Sequence, residues 1–290
     1  MASPTTLRLL LEGTSLPAEV LDELLSAATA LWLVGVPDEV VAGEAVLCHP
    51  ALAAGEVRAA VKPTDDPARF RMTVVTGDHS GLLAATAGVL AEAGLTIVDA
   101  AAAVLPESRL ALQRLTVTST GTITSRESGP IDDDGWDALG QRLRDVHGSH
   151  LPVPRAPWAP AAPVAVETQP QEMGRVVVTV HAPDRAGLLA AIGGWFEDHG
   201  ANVEMCQATG EDGMAHDVFV VAGAVDADEL ATALGGHPVT STGAGVWALT
   251  FGLRATRAGL VWPWKAAATI TQGVIGAVVA TRRPRHPDSP

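Results

Sequence analysis

The chain has 290 residues, and its 33 acidic residues outnumber its 19 lysines and arginines, which gives a formal net charge of −14. This charge argues against nucleic acid as a partner, because phosphate binding needs a basic face. The two cysteines, Cys48 and Cys206, lie far apart in the sequence and indicate neither a disulfide framework nor a metal cluster. Since the N-terminus shows no signal-peptide pattern, these features together predict a cytoplasmic protein.

Residues 1–66 are predicted to form a helical N-terminal connector region. Within it, the stretch from Pro17 to Trp32 reads as an amphipathic helix, because apolar residues recur at helical spacing at Val20, Leu21, Leu24, Leu25 and Ala28. Such a helix could dock on a sheet or on a partner.

The central part of the chain contains one sequence twice. Residues 76–85 read Thr-Gly-Asp-His-Ser-Gly-Leu-Leu-Ala-Ala, and residues 182–191, which lie 106 positions later, read Ala-Pro-Asp-Arg-Ala-Gly-Leu-Leu-Ala-Ala. The frame holds afterwards through Gly88 and Gly194, and again through Gly94 and Gly200. This repeat predicts two copies of one supersecondary unit.

Each copy predicts the order strand, helix, strand, strand, helix. Runs of β-branched and apolar residues indicate the strands, and apolar residues at helical spacing indicate the helices. The first helix of each copy ends at a glycine, Gly94 in the first copy and Gly200 in the second. The predicted elements are 71–75, 82–91, 96–105, 110–118 and 132–146 in the first copy, and 175–180, 188–196, 202–209, 215–221 and 226–234 in the second. The fold class that follows is α+β, with two ferredoxin-like (βαββαβ) units, mixed but mostly antiparallel sheets, and helices on one face.

Composition marks the segments between and after the copies. Residues 151–173 form a predicted linker, because Leu151 to Pro170 holds six prolines and little periodicity. Residues 120–134 are predicted to be an exposed loop, since glycine, proline and successive aspartates cluster there.

The C-terminal extension, residues 246–290, is apolar but short of a membrane span. Its longest uncharged run, from Ala266 to Thr281, has 16 residues, whereas a spanning helix needs roughly 18 to 20. Two alternatives remain for it: an interfacial helix anchored by Trp262 and Trp264, which would give peripheral membrane contact, and, as the favoured one, packing on the repeated pair or at a dimer interface.

The repeated turn resembles that of the ACT domain family, which typically reads Asp-Arg-Pro-Gly-Leu-Leu and has Gly-Asn-Ile after the helix. Residues 184–189 match that turn except that Ala186 replaces proline, and residues 200–203 read Gly-Ala-Asn-Val. Residues 78–83 depart at His79 and Ser80, and Thr96 replaces the asparagine. The resemblance implies ACT domains at 67–150 and 174–245, with the second copy the better match.

The connector extends the resemblance. Ala30 to Ala42, with the short strand that leads from it into the first copy, is similar to the segment before the tandem ACT pair of bifunctional PII uridylyltransferase/uridylyl-removing enzymes of nitrogen control. Nucleotidyltransferase and phosphohydrolase motifs are absent from the chain, and its only His-Asp dipeptide, His216-Asp217, has no companion histidines at ligand spacing. We therefore expect a regulatory protein rather than an enzyme, with no cofactor and no metal.

The repeated turn can hold a small zwitterion. A helix N-terminus presents free N–H groups and a positive dipole to a carboxylate, and glycine lets the ligand approach the backbone. An aspartate of the turn could accept the α-ammonium group. The resemblance implies the same place, with the ligand held between paired ACT domains by this turn and the start of the second strand. The candidate ligand-binding residues are Asp78, Gly81, Leu82, Ile97, Val98, Asp184, Arg185, Gly187, Leu188, Leu189, Asn202 and Val203.

A purely structural alternative stands beside each assignment. Asp78 and Asp184 could tie down their own turns, glycine could serve conformation alone, and Asn202 could pair with a strand end. Ser80 is a natural helix N-cap in the first copy. Elsewhere, the Cys48-His49 pair lacks further metal ligands, and Gly193-Gly194 is expected to allow close helix packing.

Two non-enzymatic functions follow. The first is a sensor that binds an amino acid, with glutamine favoured by the resemblance, at the interface of the two domains. The second is a ligand-free ACT scaffold that binds a regulatory protein partner. Homodimerisation or another homo-oligomer is left open by the sequence.

Overall fold

The computed structural model describes residues 4–12, 14, 16–27, 37–119, 133–149 and 162–236. The described residues fall into two compact units, those up to His49 and those from Pro50 onward. Several predicted segments lie outside the described residues: 120–132 of the loop predicted at 120–134, linker residues 151–161, residues 28–36 of the connector region, and the C-terminal extension 246–290 with Trp262 and Trp264. The last two residues of the predicted loop, Asp133 and Asp134, belong to a helix.

The described part of the first unit is helical. It contains α1 (Pro4–Leu11), α2 (Ala18–Ala27), α3 (Asp38–Ala45) and a short 3-10 helix, Val46–Cys48. Helix α2 lies within the predicted amphipathic helix, and its apolar residues Leu21, Leu24 and Leu25 are buried.

The second unit is an α+β structure built on one eight-stranded sheet. Its elements are β1 (Val57–Pro63), β2 (Arg69–Gly77), α4 (Leu82–Glu92), β3 (Leu95–Leu105), β4 (Leu110–Ser119), α5 (Asp133–Ser149), β5 (Ala165–Pro170), β6 (Arg175–Pro183), α6 (Leu188–Asp198), β7 (Asn202–Glu211), β8 (Met214–Ala222) and α7 (Ala227–Ala233). The strand order is β1-β2-β4-β3-β7-β8-β6-β5. We call β1 to α5 the first half and β5 to α7 the second half.

Two features of the sheet correct the sequence prediction. The expected mixed sheet is antiparallel at every pairing of the described strands. In each half the edge strand comes first along the chain, so the described order is ββαββα, where the sequence pattern predicted βαββαβ.

The two edge strands lie in the predicted connector and the predicted linker, and β1 is the short strand predicted to lead into the first copy. β1 lies within residues 1–66, where it buries Val57 and packs Ala59 and Val61 against the core. β5 lies within the predicted linker, and its Pro170 is tolerated because an edge strand has one side free of ladder hydrogen bonds. The sequence around β5 is rich in proline and does not alternate regularly between apolar and polar residues, so it gives little indication of a strand.

The two halves join through β3 and β7. These strands pair antiparallel from Asp99 opposite Thr209 to Ala103 opposite Met205, and Ala101 lies opposite its own repeat counterpart, Gln207. An approximate two-fold axis therefore passes through this pair and relates the halves. The residues of both halves contribute to one hydrophobic cluster.

Helices α4 and α6 pack closely beside the joined strands. A Cβ atom added to Gly193 of α6 would lie 2.9 Å from the backbone nitrogen of Ala84 in α4, whereas nothing lies within 4 Å of one added to Gly194. The predicted role in close helix packing is confirmed for Gly193 and is wrong for Gly194.

Candidate functional site

Each repeated turn places a glycine in the left-handed region immediately before a helix. Gly81 (φ 78°) precedes α4 and Gly187 (φ 87°) precedes α6, and neither helix has a side-chain cap. The predicted N-cap role of Ser80 is therefore wrong. Because residues with a Cβ adopt this conformation at a cost, glycine is required at both positions for the backbone itself.

The two turns form two clefts across the junction of the halves. We call cleft 1 the space between the second-half turn and the start of β3, and cleft 2 the space between the first-half turn and the start of β7. The cavity volume of each cleft is only about 30 Å³, so both clefts are narrow in this conformation. Each cleft thus takes its walls from both halves.

Every candidate residue named from the sequence lines one of these clefts. Cleft 1 is lined by Asp184, Arg185, Gly187, Leu188 and Leu189 from one half and by Ile97 and Val98 from the other. Cleft 2 is lined by Asp78, Gly81 and Leu82 from one half and by Asn202 and Val203 from the other. The structure therefore combines residues of the two copies crosswise.

A β-bulge marks the strand side of each cleft. The register of β3 with β4 shifts between Ile97 and Asp99, and that of β7 with β8 shifts between Val203 and Met205. The extra residues, Val98 and Glu204, occupy the same position in the two copies and line cleft 1 and cleft 2 respectively. Bulges often re-aim side chains next to functional sites.

The aspartates of the turns are held by their backbones. The N–H of Asp78 donates to the carbonyl of Arg109, and that of Asp184 to the carbonyl of Gly213, both at 2.9 Å. Within the described chain, no hydrogen bond reaches either carboxylate, so the structure does not show the turn-tying contact of the alternative reading. Partial burial raises the pKa of Asp184, and it raises that of Asp78 against the opposing charge of His79.

Cleft 1 contains a second carboxyl group that the sequence analysis missed. Asp217 of β8 is 3 % exposed, and it lines the cleft together with Asp184. Burial, and then the negative charge of Asp184, raises the pKa of Asp217 to about 8, although the backbone N–H of Thr209 hydrogen bonds it. Asp217 is therefore mostly protonated at neutral pH and can donate as well as accept a hydrogen bond.

The equivalent position in cleft 2 holds an amide. Asp217 lies opposite Val180, Gln113 lies opposite Val74, and Val180 is the repeat counterpart of Val74. Gln113 is 2 % exposed, and its Oε1 atom has no hydrogen-bond partner in the described chain. A buried polar atom without a partner is uncommon and calls for a water or ligand beside it.

The unpartnered amide leads to a stability prediction. Replacing Gln113 with Leu should raise the free energy of unfolding of the ligand-free protein by about 1 kcal/mol, because it removes the desolvation cost of an unsatisfied group while conserving volume. Urea denaturation measures the change, with Gln169→Leu on the exposed edge strand as control. A loss of more than about 1 kcal/mol in Gln113→Leu alone would show that the amide is satisfied.

Further charges surround cleft 2. Glu204 is held by Arg175, whose Nε and Nη2 atoms lie 2.5 and 3.2 Å from its carboxylate oxygens. The exposed carboxylate of Glu197 rests against Gly81, where an added Cβ would lie 2.5 Å from its Cδ atom. The repeat counterpart of Glu197 is Ala91, which lines cleft 1. The two clefts therefore share a backbone plan and differ in their charges.

The structure gives little support to the other residues considered for metal binding. His216, which has no companion histidines at ligand spacing in the sequence, faces His181 across the strand pair, with their Nδ1 atoms 2.8 Å apart. Even so, nowhere in the described ranges do three His, Cys, Asp or Glu side chains form a metal-binding group. Cys48 and Cys206 are both buried and unpaired by disulfide.

None of the helices in the described part of the chain is both long and apolar enough to cross a membrane.

Comparison with known proteins identifies part of the chain. Residues 176–237 match the ACT domain family, so an ACT domain lies in the second half. A crystal structure of aspartate kinase from Synechocystis is similar at 14% sequence identity and a TM-score of 0.33, over 57% of this chain and 25% of that one. The chain thus spans about a quarter of the length of that kinase. No curated protein matches the chain.

Proposed function

We propose that the protein is a regulatory sensor that binds a free amino acid, with glutamine the favoured ligand, in the clefts between its two halves. The observation that carries the proposal is the crosswise construction of cleft 1, whose turn belongs to the matched ACT domain and whose strand wall belongs to the other half. A ligand in this position touches both halves at once.

The chemistry of cleft 1 suits an α-amino acid. The N-terminus of α6, opened by Gly187, offers backbone N–H groups and a positive dipole to the α-carboxylate. The carboxylate of Asp184 has no hydrogen bond within the described chain and can accept the α-ammonium group. Ile97 and Val98 supply an apolar wall for the ligand.

Binding can regulate only if the ligand prefers one arrangement of the halves. A ligand with equal affinity for two arrangements shifts nothing, however tightly it binds. Because each cleft has walls from both halves, any change in their packing alters the contacts that the ligand makes. We infer that ligand binding favours the joined arrangement of β3 and β7.

The wider assignment has several parts. We propose that residues 67–150 form a second ACT domain, with the ACT domain at 174–245, and that the pair is related to the regulatory region of the PII uridylyltransferases. The protein is then a cytoplasmic, non-catalytic regulator in nitrogen or amino-acid metabolism, acting alone, as a homo-oligomer or on a protein partner.

Thermal unfolding across the twenty amino acids and 2-oxoglutarate tests this function. A ligand at about 100 times its Kd adds about 2.7 kcal/mol, which corresponds to a rise of roughly 5 to 10 °C in the melting temperature. A shift is expected for only a few of these compounds, glutamine among them. A flat panel would favour the ligand-free scaffold and would send the search to protein partners.

Replacing Asp184 with Asn should reduce the shift given by a ligand of cleft 1 by half or more, while leaving the protein folded. The substitution conserves shape and removes the charge that holds the α-ammonium group, and charge-assisted hydrogen bonds are worth about 1.5 to 3 kcal/mol. Asp137→Asn, which removes an exposed charge from α5, is the matched control. A full ligand shift in Asp184→Asn would show that this aspartate does not bind the ligand.

A further inference from the structure

The two clefts are related by the approximate two-fold axis, yet their buried polar groups differ. The same position of the sheet carries an acid, Asp217, in cleft 1 and an amide, Gln113, in cleft 2. Both side chains are almost fully buried, and each lines its cleft. A ligand that enters either cleft meets a different group there.

We propose that the two clefts bind different amino acids, and that Asp217 and Gln113 determine the choice: cleft 1 takes an amino acid with a second cationic group, and cleft 2 takes one with a neutral side chain. This inference rests on the proposed function, since it assigns a ligand class to each of the same two clefts.

The charges of cleft 1 favour an additional cation. Its lining includes three carboxyl groups, from Asp99 on β3, Asp184 on the β6–α6 turn and Asp217 on β8, and one cation, the exposed Arg185. The α-ammonium group of a ligand binds Asp184, and Asp217 then has no cationic partner on the ligand. A second ammonium or guanidinium group near Asp217 favours the ionised carboxylate, so the proton on Asp217 leaves as the cation binds.

No other group near Asp217 supplies the positive charge that a ligand cation would bring. The thiol of Cys206 on β7 is buried, its pKa is raised by burial and by Asp217, and it carries no positive charge. The Thr209 N–H is one neutral donor. Among the described residues lining cleft 1, Arg185 is therefore the only basic side chain that competes with a ligand cation.

Cleft 2 has a different set of charges: Asp78 and Glu204 line it, and the carboxylate of Glu197 lies against Gly81. Arg175 already neutralises Glu204, which leaves Asp78 for the α-ammonium group of a ligand. At the buried end, the unpartnered Oε1 atom of Gln113 accepts one neutral N–H, such as that of a side-chain amide. A full cation at this amide would be desolvated without a counter-charge, which is unfavourable.

Isothermal titration of the full chain with L-lysine and L-glutamine tests the inference. We expect each to bind at one site per chain, and the second to bind undiminished after the first has saturated. Repeating the lysine titration at pH 7 in buffers of different ionisation enthalpy should show release of close to one proton, and glutamine should release none.

Two variants assign the sites. Asp217→Asn should weaken lysine binding by at least about ten-fold and abolish its proton release, while glutamine binding is unchanged. Gln113→Leu should weaken glutamine binding by at least about ten-fold while lysine binding and its proton release are unchanged. Asp217→Gln should make cleft 1 resemble cleft 2, so that two glutamines bind per chain. Circular dichroism verifies that each variant is folded, and the sequential titration of the unaltered protein decides the matter even where a variant fails to fold.

Four results would overturn the inference. Competition between lysine and glutamine for one site would show that the clefts are not selective, as would two equal sites for a single amino acid. Indifference of lysine binding to Asp217→Asn would remove the assigned group. The first three outcomes leave the proposed function standing, whereas an absence of binding by every amino acid would overturn both proposals.

Discussion

Replacing Asp217 with Asn is expected to remove a steep pH dependence from the stability of the protein. Burial and the charge of Asp184 raise the pKa of Asp217 to about 8, from an ordinary value of 3.8. Between these values the folded protein holds a proton that the unfolded chain has lost. Raising the pH therefore favours unfolding, and this group's contribution to stability is lost as the pH rises towards 8.

The size of the effect follows from the one-proton difference. Between about pH 5 and pH 7 the free energy of unfolding should fall by about 1.4 kcal/mol per pH unit through Asp217 alone. In Asp217→Asn this slope should be missing, and urea denaturation at several pH values measures the difference. Asp137→Asn controls for the loss of one exposed negative charge. Equal slopes in the protein and in Asp217→Asn would show that Asp217 is ionised in the fold.

The second large effect compares one substitution at two neighbouring glycines of α6. Gly193→Ala should destabilise the protein by about 1 to 3 kcal/mol, because the new methyl group meets the backbone of Ala84 and forces α4 and α6 apart. Gly194→Ala should instead stabilise it by about 0.5 to 1 kcal/mol, since the site is open and alanine favours the helix.

The pair controls itself, because both variants add the same methyl group to the same helix. Denaturant midpoints measured under one condition give the sign of each change directly. Two changes of the same sign would contradict the close packing of α4 on α6, and with it the joining of the two halves that builds the clefts.

Much of the second unit could be predicted from local sequence. The repeated turn was visible because glycine and two leucines recur after an aspartate, and the caps at Gly94 and Gly200 have the left-handed conformation expected of them. Strands such as β2 and β6 are marked by β-branched residues on both faces. These signals are local, and the first residue of each strand that they mark lies within two residues of its predicted position.

The second edge strand and the junction could not be predicted in the same way. β5 contains charged and polar residues and ends at Pro170, so its identity comes from pairing with β6 rather than from its own sequence. Pairing of β3 with β7 is a contact between distant segments, and no local pattern indicates it.

The buried groups of the clefts left a signal that was overlooked. On β8, Ala215, Phe219 and Val221 are buried on one face, and Asp217 falls at the alternate position between them. On β4, Gln113 likewise falls between Ala111 and Leu115. A polar residue on the apolar face of a predicted strand indicates a functional position, because burial there requires a partner.

The measurement that tests the central claim most directly is a map of backbone amide chemical shifts in the isotope-labelled protein, with and without the amino acid that raises its melting temperature. We expect the largest changes in both halves at once. A ligand in cleft 1 should change the turn around Gly187 and Leu188 together with Ile97 and Val98, and a ligand in cleft 2 should change the turn around Gly81 and Leu82 together with Asn202 and Val203. Changes confined to one half, or located away from both clefts, would contradict a ligand site built between the halves.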